Sequence, residues 1–213
     1  MSDVAESGPN PNPRLTPRGA QTRARIVSAA AELMRMKGVD ATTLDDVRAA
    51  SGTSKSQLYR HYHDKSELVR DVIEFTGDLV IRREQERLGR VSSVAGLRRW
   101  RDALVQANDL QHGAYGCALG SLAGDVADHD ALAREQLARL FGTWTTLISE
   151  ALSRMQERGM LGPQVDADYV ANGLLAALQG GYLLAQAAGD SAPMASALDM
   201  ALDYIDSLAV KAS

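Results

Sequence analysis

The sequence predicts an all-α fold, and three observations carry that expectation. Apolar residues recur at helical spacing in segment after segment, as in Ile26, Ala29, Ala30, Leu33 and Met34. Capping side chains stand before these segments and glycines follow them. No stretch alternates with period two for long enough to make a strand, and there are no internal repeats. With 213 residues the chain suits one compact unit or two small ones. Its 45% hydrophobic and 23% charged residues are the balance of a globular protein. No apolar run approaches the roughly 18 residues of a membrane span. The opening "MSDVAESGPNPNPRLTPRG" is polar, Pro-rich and without the apolar core of a signal peptide. Residues 1–19 are therefore expected to be a disordered arm, and the protein to be cytoplasmic. A single cysteine, Cys117, excludes an internal disulfide and a Cys-clustered zinc site.

Taken in order, the first helix spans residues 20–37 and stops at Gly38. Thr43, with Asp46 three residues on, caps a short helix that turns Leu44 and Val47 inward. Gly52 ends it in a turn. Ser54, with Gln57 three residues on, caps a second short helix that ends near Tyr62. Asp64 caps a long helix to about Leu88, with Leu68, Val72, Phe75 and Leu79 expected on one buried stripe. Residues 94–112 follow with Leu97, Trp100, Leu104 and Val105. Gly113 and Gly116 precede a short helix over 117–127. A long helix over 130–158 carries Leu137, Phe141, Trp144, Leu147, Ile148 and Leu152, and "RGMLGP" closes it. Helices over 166–188 and 192–209 complete the chain.

Charge is unevenly spread. The net charge is −4, yet residues 14–65 hold ten Lys or Arg against five Asp or Glu, for +5, and residues 66–213 carry −7. A basic end on an acidic body suits a protein that meets phosphate at one end only. Two short capped helices joined at Gly52 make a helix-turn-helix, whose second helix enters the major groove of DNA. That helix begins at Ser54. Lys55, Ser56 and Gln57 form its first turn and have no core role. Leu58 turns inward, while Tyr59, Arg60, His61 and Lys65 project donors where phosphates would lie.

The stretch "TTLDDVRAASGTSKSQLYRHYHDKSELV" resembles the DNA-binding domain of the TetR family of bacterial transcriptional regulators. The resemblance covers residues 20 to about 75, and its S-K-x-x-L-Y-x-H-[FY]-x-x-K pattern is specific to that family. It implies that Thr43, Tyr59, His61 and Lys65 contact phosphate, and that Lys55, Ser56, Gln57 and Arg60 lie nearest the bases. Arg23 and Arg25 either reach phosphate or an adjacent minor groove, or form a solvated helix face. Gln57 departs from the small residue often found there. It either bonds adenine in bidentate fashion or only completes the capping box with Ser54. Tyr62 is expected to pack inward with Leu58.

The resemblance also implies a C-terminal domain that dimerises and holds a small molecule, with "YGCALGSLAGDVADHD" and "LLAALQGGYLLAQ" as its recognisable pieces. The expected division is an arm (1–19), a three-helix DNA-binding domain (20–66) and a ligand-binding and dimerisation domain (67–213). The last two helices, rich in Ala and Leu, suit a homodimer built as a four-helix bundle, although the hairpin alone would also pack within one subunit. Gly180 and Gly181 fall mid-helix, where each costs about 1 kcal/mol relative to Ala, which points to close helix approach. Trp100, Leu104, Tyr115, Cys117, Phe141, Trp144, Gln179 and Tyr182 are candidate pocket residues, with plain core as the competing role for both Trp. Cys117 is expected to be a buried thiol. Asp125, Asp128, His129 and Asp130 read as a turn, with Asp128 or Asp130 as an N-cap, rather than a metal site. No nucleophile–base pair, phosphate loop or cofactor motif is present. The function expected is a repressor released from a palindromic DNA operator by an apolar or aromatic effector. The alternatives are an effector-free dimeric regulator and, more remotely, a helical enzyme or interaction protein carrying the motif incidentally.

Overall fold

The computed structural model describes residues 16–210, which form nine helices. They are α1 (Pro17–Lys37), α2 (Leu44–Ser51), α3 (Lys55–His61), α4 (Lys65–Leu88), α5 (Val94–Asp109), α6 (Ala118–Val126), α7 (Ala131–Glu157), α8 (Ala167–Ala188) and α9 (Ala192–Ser207). Among the described residues the β pairing is one isolated bridge between Leu161 and Ala209.

Local chemistry explains the helix ends. α1 starts three residues before the expected residue 20. The Thr16 hydroxyl accepts from the Gly19 amide, and Pro17 has a φ preset for the first turn. Residues 16–19 thus belong to a helix start and not to the arm, whose remaining residues 1–15 lie outside the described ones. Thr43 and Asp46 form a complete capping box, as do Ser54 and Gln57. Between these helices Gly52 sits at φ +64°, a left-handed conformation that a side chain would strain. The Asp64 carboxylate accepts from the Glu67 amide at 2.9 Å. The Glu67 carboxylate accepts from the His63 amide and so braces the residue before the cap.

One core runs through the molecule. In the α1–α3 head it contains Ile26, Ala30, Val47, Leu58 and Tyr62. α4 leads out of the head into a body built from α5–α9, where Leu97, Leu104, Leu119, Trp144, Ile148, Leu152, Leu178 and Leu198 are buried. α4 does not bury the stripe expected of it. Leu68 and Val72 are buried, together with Val69, Ile73, Val80 and Leu88, but Phe75 is only partly covered and Leu79 is 48% exposed. The helix packs on α1 at one end and α7 along its length, so its buried face rotates, and Phe75 and Leu79 are left facing a cavity.

The two mid-helix glycines of α8 do different things. A Cβ on Gly181 would lie 2.9 Å from Met194 Cα, so this glycine lets α8 and α9 close on each other within the subunit. A Cβ on Gly180 would meet nothing within 4 Å.

Candidate DNA-reading helix and ligand cavity

α3 is anchored by buried Leu58, followed by buried Tyr62. Leu58 burial contributes about 1.5–3 kcal/mol, enough to hold so short a helix in place. The other face is polar. Lys55, Ser56, Tyr59 and Arg60 are exposed, with 55/59 and 56/60 one helical turn apart. The Lys55 ammonium lies 5.8 Å from the Tyr59 ring centroid. Gln57 is half-buried. Its side-chain oxygen accepts from the Ser54 amide at 2.9 Å, while the Ser54 hydroxyl accepts from the Gln57 amide at 3.2 Å. The capping role open in the sequence is thus filled, leaving the Gln57 side-chain NH2 as its donor outward. Partial burial, with the charges of Arg23 and Arg60 nearby, pushes the His61 imidazole below its ordinary pKa.

Contacts around α3 fix its setting. The Tyr62 hydroxyl donates to Asp71 of α4 at 2.5 Å, and Arg23 of α1 pairs with the same carboxylate at 2.7 Å. Arg23 thus ties α1 to α4 while about half of its side chain stays exposed, and Arg25 is exposed as well. Burial and the Asp71 carboxylate push the Tyr62 phenol well up. Lys65 donates to the Asp40 carbonyl at 3.1 Å across the α1–α2 turn. Thr43 is exposed at the start of α2, where Lys37 pairs with its box partner Asp46 at 2.7 Å. The Lys37 ammonium, with the Thr43 backbone, holds Asp46 far below the usual carboxylate range.

Two adjoining cavities lie where α1, α4 and α6 meet. The larger, ≈ 520 Å³, is walled by Ala31, Met34, Val72, Phe75, Leu79 and Leu122. The smaller, ≈ 190 Å³, is polar and lined by Asn108, Tyr115, Cys117 and Tyr182. Arg35, Val80, Arg83 and Ala118 border both. Of the eight pocket residues expected, Tyr115, Cys117 and Tyr182 line this space. Leu104, Phe141, Trp144 and Gln179 do not, and Trp100 reaches only a separate cleft beside Arg87, Arg90 and Arg158. Trp144 is wholly buried in the core, and the Trp100 indole donates to the buried Glu84 carboxylate at 2.8 Å. The largest side chains fill the interior, so both Trp are core. The α1 wall escaped the sequence reading because α1 was assigned wholly to the head. Arg35 and Arg83 carry no local sequence pattern that marks them.

The α5–α6 connection is strained beside the smaller cavity. His112 and Tyr115 adopt left-handed conformations at φ +50° and +66°, at a cost of roughly 1–3 kcal/mol each. Tyr115 lies under the Arg35 guanidinium, 4.3 Å from ring centroid to Cζ. Burial pushes the Tyr182 phenol up to about 12 and raises the Cys117 thiol, so both are neutral donors. Head and body are tied directly: Asp125 of α6 accepts from the Val39 amide at 2.8 Å, after the end of α1. Asp130 caps α7 and pairs with Arg70 of α4 at 2.7 Å.

The comparisons with known proteins agree with this architecture. Residues 26–72 match the family model for bacterial regulatory proteins of the tetR family, and residues 94–201 match that for the tetracyclin repressor-like C-terminal domain. The HTH-type transcriptional repressor DhaR of Mycobacterium sp. (strain GP1) is 25% identical over 165 residues, covering 76% of this chain and 80% of that protein. A TetR transcriptional regulator from Chloroflexus aurantiacus superposes with a TM-score of 0.78 at 24% identity, covering 92% of this chain and all of that one. A TetR-family regulator from Cytophaga hutchinsonii gives 0.79 at 16% identity, covering 93% and 100%. No helix among the described residues is long and apolar enough to cross a membrane. With a helix-turn-helix at its N-terminal end and family matches across both parts, the chain belongs to the TetR family of helix-turn-helix transcriptional regulators.

Proposed function

We propose that the chain is a homodimeric repressor that binds a palindromic operator and leaves it when a small apolar or aromatic molecule enters the cavity. The observation that carries this reading is α3, a capped helix anchored by Leu58 whose other face is polar and cationic. Lys55, Ser56, Gln57 and Arg60 would face base edges. Thr43, Ser54, Tyr59, His61 and Lys65 would hold the phosphates, with Arg25 reaching from α1. Arg23 would join it from the same helix, since about half of its side chain stays exposed beside Asp71. The division into head and body is placed near residue 66, at the start of α4.

The outward face of α8 and α9 supports the dimer. Tyr169, Leu183, Leu184, Met200 and Tyr204 are exposed there, and Gly180 leaves room for another helix. Two such hairpins would close into a four-helix bundle. The ≈ 520 Å³ cavity is within the size range of small-molecule sites, and it favours a ligand-responsive protein over an effector-free dimer. A ligand can shift the heads only by preferring one of their spacings, and α4 and the Asp125–Val39 contact would carry that preference. The test is selection of sites from a randomised duplex pool by the full chain. Enrichment of an inverted repeat with half-sites about one helical turn apart, or a multiple of it, is expected. Absence of any enriched repeat would refute the reading.

A further inference from the structure

We infer that the effector is an amphipathic anion: its apolar body fills the larger cavity and its acidic group lies in the smaller one, held by Arg35 and Arg83 with Asn108 as a polar handle. This rests on the ligand-responsive reading above and specifies the chemistry of its site.

Several observations converge. Both guanidiniums border both cavities, but the larger one is mainly apolar and has the Glu32 and Asp125 carboxylates in its lining, whereas no carboxylate lines the smaller one. The acids nearby are already engaged. Glu32 takes Arg35 Nε and Nη2 at 3.0 and 2.6 Å, leaving Nη1 free among the described residues. Glu84 is fully buried behind Arg83 and takes its Nε at 2.9 Å, leaving both terminal nitrogens of Arg83 without a partner among the described residues. Asp125, at the edge of the larger cavity, accepts from the Val39 amide. A planar guanidinium with free N–H groups matches a carboxylate in shape and charge. Asn108 supplies the independent sign of a ligand. It is 5% exposed, lines the smaller cavity, and its side-chain oxygen has no hydrogen-bond partner. Such a group is costly to leave unpaired, and a ligand hydroxyl or amide satisfies it.

The site also has a route to the head. Arg35 stands in the last turn of α1, paired with Glu32 and stacked on Tyr115 of the strained α5–α6 connection. An anion that draws Arg35 inward competes with both contacts, so its binding is coupled to the setting of α1.

The test compares 6-hydroxy-1-naphthoate with 6-hydroxy-1-naphthamide, which share an apolar body and a hydroxyl donor for Asn108 and differ in charge, by calorimetry on the full-length protein. The acid is expected to bind at least tenfold more tightly than the amide. That preference should fall below threefold in Arg83→Gln and in Arg35→Gln, each checked for an unchanged thermal transition. Equal or tighter binding of the amide, or binding of neither compound, overturns the proposal; the wild-type comparison alone decides this even if a variant fails to fold. Operator affinity is measured in parallel. Preferential binding of the acid with no change in operator affinity leaves the anion site standing and refutes the ligand switch.

Discussion

α3 and α8 both present a face that their own subunit leaves uncovered, and the two faces are opposite in chemistry. On α3 it is Lys55, Ser56, Tyr59 and Arg60, cationic and rich in donors. On α8 it is Gly173, Ala176, Gly180, Leu183 and Leu184, without a charge, and α9 adds Met200, 71% exposed. A hydrated polyanion rewards the first kind of face through counterion release and hydrogen bonds. Only removal from water rewards the second, and a contiguous apolar patch of this sort marks an interaction site. The two faces thus suit two different partners on one chain. On the proposed function the affinity of the first would depend on the second, because two heads on one dimer would bind two half-sites together.

Charging the apolar face should therefore have the largest effect. Leu183→Arg, at a position 68% exposed, leaves the subunit core intact but places a guanidinium in the proposed bundle. Sedimentation should show a monomer, and operator affinity should fall by roughly 10²–10⁴, the worth of linking two binding events. A variant that remains dimeric moves the interface away from α8.

The reading face is probed by Gln57→Ala. Loss of a bidentate base contact should relax sequence preference at one position of each half-site by about 1–3 kcal/mol. In the free protein Gln57 is held in its capping box, so the same variant is expected to lose some thermal stability as well. A stability loss with unchanged sequence preference assigns Gln57 to capping alone.

How far these faces were legible in the sequence follows from the range of the forces involved. The capping boxes at Thr43 and Ser54 and the turn at Gly52 depend on residues three apart, and the chain declares them directly. The apolar α8–α9 hairpin and its neighbours were legible from helical periodicity. What the sequence hid was set by tertiary packing. Leu79 carries the same periodicity as Leu68 but borders a cavity, because α4 changes neighbours along its length. Gly180 and Gly181 are adjacent and identical, yet one meets α9 and the other faces open space. Trp144 and Trp100 are rare in the sequence but are core and a partner of Glu84, while Arg35 and Arg83, 48 residues apart in sequence, meet at one cavity.

Lys65 tests a subtler point on the head. Its ammonium donates to the Asp40 carbonyl, a contact that braces the α1–α2 turn and leaves donors for a phosphate. If it also meets DNA, Lys65→Met should weaken all duplexes alike and flatten the log–log salt slope by about one unit per protomer. An unchanged slope, with only a lowered melting temperature, would confine Lys65 to the brace.

The smallest expected effect concerns protons. Burial, followed by the nearby charges of Arg23 and Arg60, holds His61 below its ordinary pKa in the free protein. The folded chain then binds fewer protons than the unfolded one near pH 6. This contribution to stability is present above the unfolded pKa and is lost as pH falls through the folded value. A phosphate beside His61 acts in the opposite sense, since it favours the imidazolium. Operator binding should therefore take up protons, and affinity should rise as pH falls from 7 towards 6, by at most about tenfold per pH unit per protomer. The same change lowers the stability of the free protein, so the two curves should diverge. His61→Gln should remove the excess pH dependence of binding while keeping a hydrogen-bond donor. If wild type and variant show the same pH profile for the operator, His61 meets no phosphate, and the contact surface of α3 stops at Arg60.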